Sequence, residues 1–280
     1  MHGQTDARAS FGRGKRMIAA PFQLTDADLV AAVARVLWPL ARIAAMLAAA
    51  PLFGARTVPV RLRAALGFAL AIVAAPLVPA PAGIEPFSPE GAVVLLREAA
   101  IGAGLGFLLQ MAFGAVAMAG EIVAFGMGLS FASIVDPERG VGAPLVGQYF
   151  VVLATLLFLA LDGHLALISL LVESFRSLPP AATGLTSGGF LELAGWGARM
   201  FEAAVLVALP AAAALLVASL SIGLIARSAP QLNVFAVGFP LTLMLGIVAL
   251  AVGLPALAPQ FERLLEAALG EARTLIGAWQ

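Results

Sequence analysis

The sequence predicts an all-α, integral membrane-type protein, and three observations support that prediction. Of the 280 residues, 61% are hydrophobic and only 11% are charged, whereas about a quarter of the residues in a soluble domain are charged. The apolar residues form long segments close to the roughly 20 residues that a bilayer-spanning helix needs. These segments are rich in Ala and Leu and do not show the period-2 alternation that marks outer-membrane strands.

Six long apolar segments and one short one follow one another along the chain. The third begins near residue 99 and stays apolar to residue 135, broken only by Gln110 and Glu121. Because this length exceeds one span, we predict a span that ends near residue 120 and then a short re-entrant or buried segment at 122–135. The six long segments lie at about 29–51, 64–82, 99–120, 144–172, 203–226 and 232–258.

The first 16 residues differ from the rest, which we treat as a single helical domain at 17–280. They contain four basic and few apolar side chains, as expected of a disordered basic tail or an over-long gene start. No short apolar run with a small-residue cleavage site follows them, so we expect no cleaved signal peptide. The basic residues are Arg8, Arg13, Lys15 and Arg16.

Charge balance and the absence of cysteine exclude several classes of function. The chain has 16 basic and 16 acidic residues, so no net field attracts nucleic acid. It has no Cys and only two His, which excludes a disulfide framework, a thiolate nucleophile, a cysteine zinc site and a histidine metal cluster. We therefore expect no cofactor, no metal and no nucleic-acid partner.

Charged residues inside apolar segments need an explanation, because each costs at least about 2.5–3.5 kcal/mol at the bilayer centre. Arg35 and Arg42 are seven residues apart and share a helix face. They form a polar seam against partner helices, or they snorkel toward opposite ends. Glu98 opens the third segment, where an acid favours a helix N-terminus, so we expect it to cap that helix. Glu121 either faces a polar interior or pore, or marks the break between two apolar runs.

The tripeptide Asp162-Gly163-His164 resembles half of a catalytic site but has no plausible third member. The only other histidine lies in the basic tail. An intramembrane enzyme would need a nucleophile–base pair, for which Ser130 or Ser133 with His164 is the sole candidate. We favour a tight polar turn between two helices.

Glycines at 102, 104 and 106 form a GxGxG string inside an apolar segment. A dinucleotide fingerprint would require a preceding strand, which this segment does not offer. Gly102 and Gly106 also form a GxxxG pair, which lets two helix backbones approach closely. We predict a protein–protein packing face.

The central loop, residues 125–131, combines helix-weakening glycines with deformable apolar side chains. Asp136-Pro137 follows it with a turn signal. Such a loop inside a membrane assembly is either a movable plug that seals a pore or an ordinary re-entrant packing loop. Its residues are Phe125, Gly126, Met127, Gly128, Leu129, Ser130 and Phe131.

Residues 229–242, APQLNVFAVGFPLT, resemble the signature of the FliR family, the R subunits of the flagellar type III export gate, which is related to the T subunits of virulence injectisomes. Stretches around Arg42, Glu98, the central loop, 162–165 and 174–179 resemble the family in the same order, so the resemblance covers about residues 20–265. The motif residues that carry it best are Ala229, Pro230, Gln231, Asn233, Phe235, Gly238, Phe239 and Pro240.

The resemblance implies a non-enzymatic subunit of a protein-export channel, built from helical hairpins like a P subunit joined to a Q subunit. It implies P and Q partners, further contacts with the B and A subunits and the basal-body ring, and passage of unfolded flagellar proteins. It places the chain in the bacterial inner membrane, within the basal body, in contact with lipid. It also implies that the central loop closes the pore.

The same resemblance implies that polar residues within the apolar segments are buried or lie at subunit interfaces. We extend this expectation to Arg35, Arg42, Glu98, Glu121, Asp162 and His164. Two alternatives differ in function. A T subunit of an injectisome would share the fold, although the Gly-Phe-Pro-Leu run at 238–241 looks more flagellar. A small-solute transporter would use Arg35, Arg42, Glu121 and Asp162 as a substrate or proton site.

Overall fold

The computed structural model describes residues 26–55, 57–79, 84–129, 145–180, 186–228 and 234–279. This part of the chain is helical and contains no strand, so the all-α prediction is confirmed. Five helices are long and apolar enough to cross a membrane, or six if the bent pair α4–α5 counts as one span. The helices are α1 (Asp26–Ala49), α2 (Val60–Ala74, followed by a 3-10 turn at Ala75–Leu77), α3 (Pro89–Gly126), α4 (Leu145–Ala160), α5 (Gly163–Ser177), α6 (Ser187–Ser228) and α7 (Val234–Ala278).

Helix α3 is the centre of the bundle and packs against α1, α4, α6 and α7. Ser88 caps its N-terminus by accepting a hydrogen bond from the Gly91 amide at 3.0 Å, and Pro89 occupies the first turn, where its missing N–H is not needed. The helix then runs for 38 residues without interruption, which corresponds to about 57 Å. It is therefore considerably longer than the roughly 30 Å hydrocarbon core of a bilayer.

The predicted break near residue 120 is wrong, because Gly120 and Glu121 lie inside α3. A helical glycine costs only about 1 kcal/mol relative to Ala, which tertiary packing offsets here. A Cβ at position 120 would lie 2.7 Å from the Gly147 Cα of α4. Gly120 thus permits two helix backbones to touch, and the first part of the predicted re-entrant segment is helical. Residues 130–144 lie outside the described part of the chain.

The GxxxG pair of α3 packs directly on α1, as its spacing predicts. A Cβ at Gly102 would overlap the carbonyl oxygen of Arg42. A Cβ at Gly106 would lie 2.6 Å from the carbonyl oxygen of Met46. These two glycines therefore bring the α1 and α3 backbones into contact at the level of Arg42.

The polar tripeptide forms a tight turn between α4 and α5, which differ in direction by 67°. Asp162 adopts a left-handed conformation with φ 54°, which Asp tolerates better than most residues. The next position needs glycine, because a Cβ at Gly163 would overlap the Phe158 ring. The fourth apolar segment is consequently a bent pair rather than one straight helix.

Helices α6 and α7 have 42 and 45 residues, or about 63 and 68 Å, and pack against each other. Charged residues cluster where α6 begins and α7 ends, and Arg199 and Glu271 form an exposed ion pair there at 3.4 Å. Between residues 203 and 258 the sequence holds a single charged residue, Arg227. The apolar part of each helix is long enough to cross a bilayer, and the charged part extends beyond that length.

Candidate functional sites: a buried arginine and the end of the central helix

Arg42 of α1 is completely buried, with 0% of its surface exposed. Its Nε and Nη2 atoms donate to the two carboxylate oxygens of Glu98 at 2.8 and 2.9 Å. Its Nη1 donates to the carbonyl and the hydroxyl of Ser174 at 2.8 and 3.1 Å. Its Nη2 also donates to the Leu178 carbonyl at 2.7 Å, so all five N–H groups of the guanidinium are used.

The Phe175 ring covers this arginine, with the guanidinium carbon 4.4 Å from the ring centroid. Such a cation–π contact adds to the bidentate pair with Glu98. The Arg42 cluster, formed by Arg42, Glu98, Ser174, Phe175 and Leu178, ties α1 and α3 to the C-terminal end of α5. Its chemistry is structural, since the guanidinium has no N–H left for a ligand.

The capping role expected for Glu98 is wrong. Glu98 lies nine residues after Pro89, which begins α3, and only 2% of its side chain is exposed. Ser88 is the capping residue and Glu90 the acid of the first turn. The carboxylate of Glu98 is stable in the interior because both oxygens accept hydrogen bonds from Arg42. Spacing within one segment did not reveal this pair, because its members are 56 residues apart.

The other polar candidates do not join the Arg42 cluster. Arg35 is exposed on α1, although it shares a helix face with Arg42. Glu121 is also exposed and lies 23 residues further along α3 than Glu98, about 35 Å away. Asp162 is exposed in its turn, and His164 is half-buried, with Nδ1 enclosed and without a hydrogen-bond partner. The structure therefore does not assemble Arg35, Arg42, Glu121 and Asp162 into one site for a solute.

The C-terminal end of α3 forms the second candidate site. Gly128 has φ 80°, and its amide donates to the Phe125 carbonyl at 3.0 Å. The Leu129 amide donates to the Ala124 carbonyl at 3.1 Å. This pair of bonds is the Schellman arrangement, which requires a left-handed residue that glycine supplies. Phe125 and Gly126, which were predicted to belong to the loop, are the last two residues of α3, so that part of the prediction is wrong. The left-handed Gly128 terminates the helix.

Met127 holds this helix end against α7. Its carbonyl oxygen accepts a hydrogen bond from the Thr242 hydroxyl at 3.2 Å. Its side chain is 3% exposed and occupies the space where a Cβ of Gly246 would lie. Phe125, in contrast, points outward with 75% of its surface exposed. Ser130 and Phe131 of the central loop lie outside the described residues, as does Ser133.

The motif that carries the family resemblance leads into α7. Gly238 is buried, whereas Phe239 and Pro240 are exposed within the helix. Phe235 belongs to the same helix. Four further motif residues lie outside the described part of the chain, namely Ala229, Pro230, Gln231 and Asn233.

Several residues of the two sites had no role assigned from sequence. Ser174, Phe175 and Leu178 belong to a stretch that resembles the family, but no pattern links them to Arg42. Thr242 closes the family motif, and Gly246 stands in a plain apolar run. Within the described residues, no group of three or more His, Cys, Asp or Glu is arranged to hold a metal ion.

Long apolar helices around an internally neutralised arginine define an α-helical integral membrane protein. Comparison with known proteins narrows this class. The sequence profile of "Bacterial export proteins, family 1" matches residues 33–268, and the chain belongs to that family. It is 42% identical over 227 residues to the flagellar biosynthetic protein FliR of Escherichia coli K12, covering 81% of this chain and 87% of that protein.

Two further relatives carry the same name. The flagellar biosynthetic protein FliR of Pectobacterium carotovorum is 40% identical over 238 residues, which covers 85% of this chain and 90% of that protein. The flagellar biosynthetic protein FliR of Bacillus subtilis 168 is 33% identical over 215 residues, covering 75% and 82% respectively. The similarity thus extends over more than four-fifths of the length of each relative.

Proposed function

We propose that this chain is a structural and gating subunit of the flagellar type III protein export apparatus. It forms, with P and Q subunits, a channel through which unfolded flagellar proteins pass, and it is required for flagellum assembly. The observation that carries the proposal is the family match over residues 33–268, together with relatives that are named for flagellar biosynthesis.

Helix lengths support a role inside a larger protein assembly. Helices α6 and α7 are each more than twice as long as the hydrocarbon core of a bilayer is thick. Both helices keep large apolar side chains exposed along much of their length, including Leu216, Leu224 and Met244. Contiguous apolar surface of this kind needs lipid or another protein to cover it. P and Q subunits cover the part that lies beyond the membrane.

The gating role is assigned to the central loop. Its first two residues are the end of α3, the left-handed Gly128 terminates that helix, and Met127 is buried while Phe125 is exposed. The loop seals the channel until an exported chain or the export motor displaces it.

The chain itself performs no chemical step in this proposal. Its buried cation is fully neutralised by Glu98 and by carbonyl groups. Energy for export comes from partner subunits and from the proton gradient. We place the assembly in the bacterial inner membrane, within the flagellar basal body.

Purification from native membranes tests the assembly. The affinity tag belongs on the N-terminal tail, because Trp279 near the C-terminus is buried against Gly104 and Gly189. P and Q subunits are expected to co-purify in fixed ratio. A chain that is isolated alone from a motile strain contradicts the proposal.

Deletion of residues 126–128 tests the gate. The assembled apparatus is expected to leak ions, measured as membrane conductance or proton permeability, because the deletion removes both Met127 and the glycine that ends α3. A strain that lacks the chain serves as control, since it has no assembled channel. Unchanged conductance in the deletion strain, with P and Q still co-purifying, would remove the gating role.

A further inference from the structure

The first residues of the central loop are attached to the bundle at two points on α7. The Thr242 hydroxyl lies 3.2 Å from the Met127 carbonyl oxygen. The Met127 side chain fills the space above Gly246, where a Cβ would overlap it. Thr242 and Gly246 are four residues apart and therefore lie on one face of α7. We call these two residues the loop seat.

The hydrogen bond of the loop seat has an alternative acceptor. Thr242 Oγ1 lies 3.1 Å from the carbonyl oxygen of Phe239 in its own helix, besides its contact with Met127. A hydroxyl has one proton and donates to one of these acceptors at a time. When Met127 departs, the proton turns to Phe239, so the half-buried hydroxyl keeps a hydrogen-bond partner. This bond is consequently inexpensive to break and re-form.

The apolar contact of the loop seat depends on one glycine of α7. Gly246 is the α7 glycine whose hydrogen faces Met127, whereas a Cβ at Gly253 or Gly270 in the same helix would meet nothing within 4 Å. Beside the loop seat lies a partly open apolar cavity of about 440 Å³, whose lining includes Val123 and Leu245.

From these contacts we propose that Thr242 and Gly246 are positioning residues that hold the central loop in its closed position by seating Met127. This inference rests on the proposed gating role of the loop. The seat combines one exchangeable hydrogen bond with one side chain packed on a glycine. It fixes the loop strongly enough to favour closure and weakly enough to release it during export.

Two substitutions test the loop seat through ion leakage of the assembled apparatus. Thr242→Val keeps the shape and removes the hydroxyl. Because the hydroxyl bonds Phe239 when Met127 leaves, the leak is expected to rise about twofold, less than the roughly fivefold effect of losing a hydrogen bond without an alternative acceptor. Gly246→Ala displaces Met127, and its leak is expected to approach that of the 126–128 deletion. Since Ala is a better helix former than Gly, weakened α7 helicity does not explain that result.

Matched control variants distinguish loss of the loop seat from a general loss of stability. Thr155→Val removes a hydroxyl that bonds the Val151 carbonyl in its own helix, at 2.8 Å, and Gly270→Ala adds a Cβ in open space. Neither variant is expected to leak. Thr242→Ser keeps the hydroxyl and is expected to behave as the unaltered chain. In a Met127→Ala background, Gly246→Ala is expected to have no further effect, because the side chain it displaces is gone.

The outcomes test the gating role of the central loop and the loop seat separately. If the 126–128 deletion leaks but Thr242→Val and Gly246→Ala match their controls, the loop seat is refuted and the gate stands. If the deletion does not leak, the gate fails. Co-purification of P and Q with every variant reports assembly. If Gly246→Ala does not assemble, the comparison of Thr242→Val with Thr242→Ser decides the question.

Discussion

Replacing Arg42 by methionine examines how the Arg42 cluster holds three helices together. The substitution keeps a long side chain but removes five hydrogen bonds, which join Arg42 to Glu98, Ser174 and Leu178. It leaves the Glu98 carboxylate, 2% exposed, without its partner. Loss of one member of a buried ion pair costs about 3–5 kcal/mol, so we expect Arg42→Met to lower the melting temperature by roughly 10 °C.

Thermal unfolding of the detergent-purified assembly measures this change. The melting temperature of Arg42→Lys is expected to lie between those of the unaltered chain and Arg42→Met, because an ammonium offers three donors where the cluster uses five. The double substitution Arg42→Met with Glu98→Leu is expected to recover most of the loss, since apolar side chains replace a buried pair at little cost. Arg199→Met is the control, because Arg199 is 62% exposed and lies 3.4 Å from Glu271, where a pair contributes less than about 1 kcal/mol.

Two results would contradict the expected role of the Arg42 cluster. A melting temperature for Arg42→Met equal to that of Arg199→Met would mean that the cluster does not stabilise the fold. A double variant as unstable as the single one would mean that the loss arises from packing around Arg42 rather than from the unpaired carboxylate. The cycle of single and double variants separates the effect of the unpaired carboxylate from the effect of packing around Arg42.

The remaining predictions concern local contacts and the chain's periphery. Gly102→Ala is expected to lower the melting temperature because its Cβ overlaps the Arg42 carbonyl. Gly114→Ala is the control and is expected to be tolerated, because its Cβ meets only the Met200 sulfur at 3.2 Å. Equal shifts in melting temperature would argue against a close α1–α3 contact. Glu121→Ala is expected to impair flagellar export if this exposed carboxylate contacts a partner, and normal motility would remove that role. Deleting residues 2–16 is expected to leave motility intact, which a swimming assay checks.

Sequence patterns predicted most of the fold because apolar length and local turn chemistry are properties of neighbouring residues. The six apolar segments correspond to the observed helices, with α4 and α5 counted as one bent pair. The turn at Asp162 and the close approach at Gly102 and Gly106 also follow from a few adjacent residues. The same local patterns misplaced the end of α3, since Gly120 is compatible with a break or with a packed helix.

Composition, segment length and glycine spacing were enough to predict an α-helical membrane protein, because they act within single helices. Which polar residues act together depends on how the helices pack. Arg42 and Glu98 are 56 residues apart, and Met127 and Thr242 are 115 apart. A buried charge or carbonyl is stable only beside its partner, and that partner is chosen by how the helices pack rather than by the segment in which the residue lies.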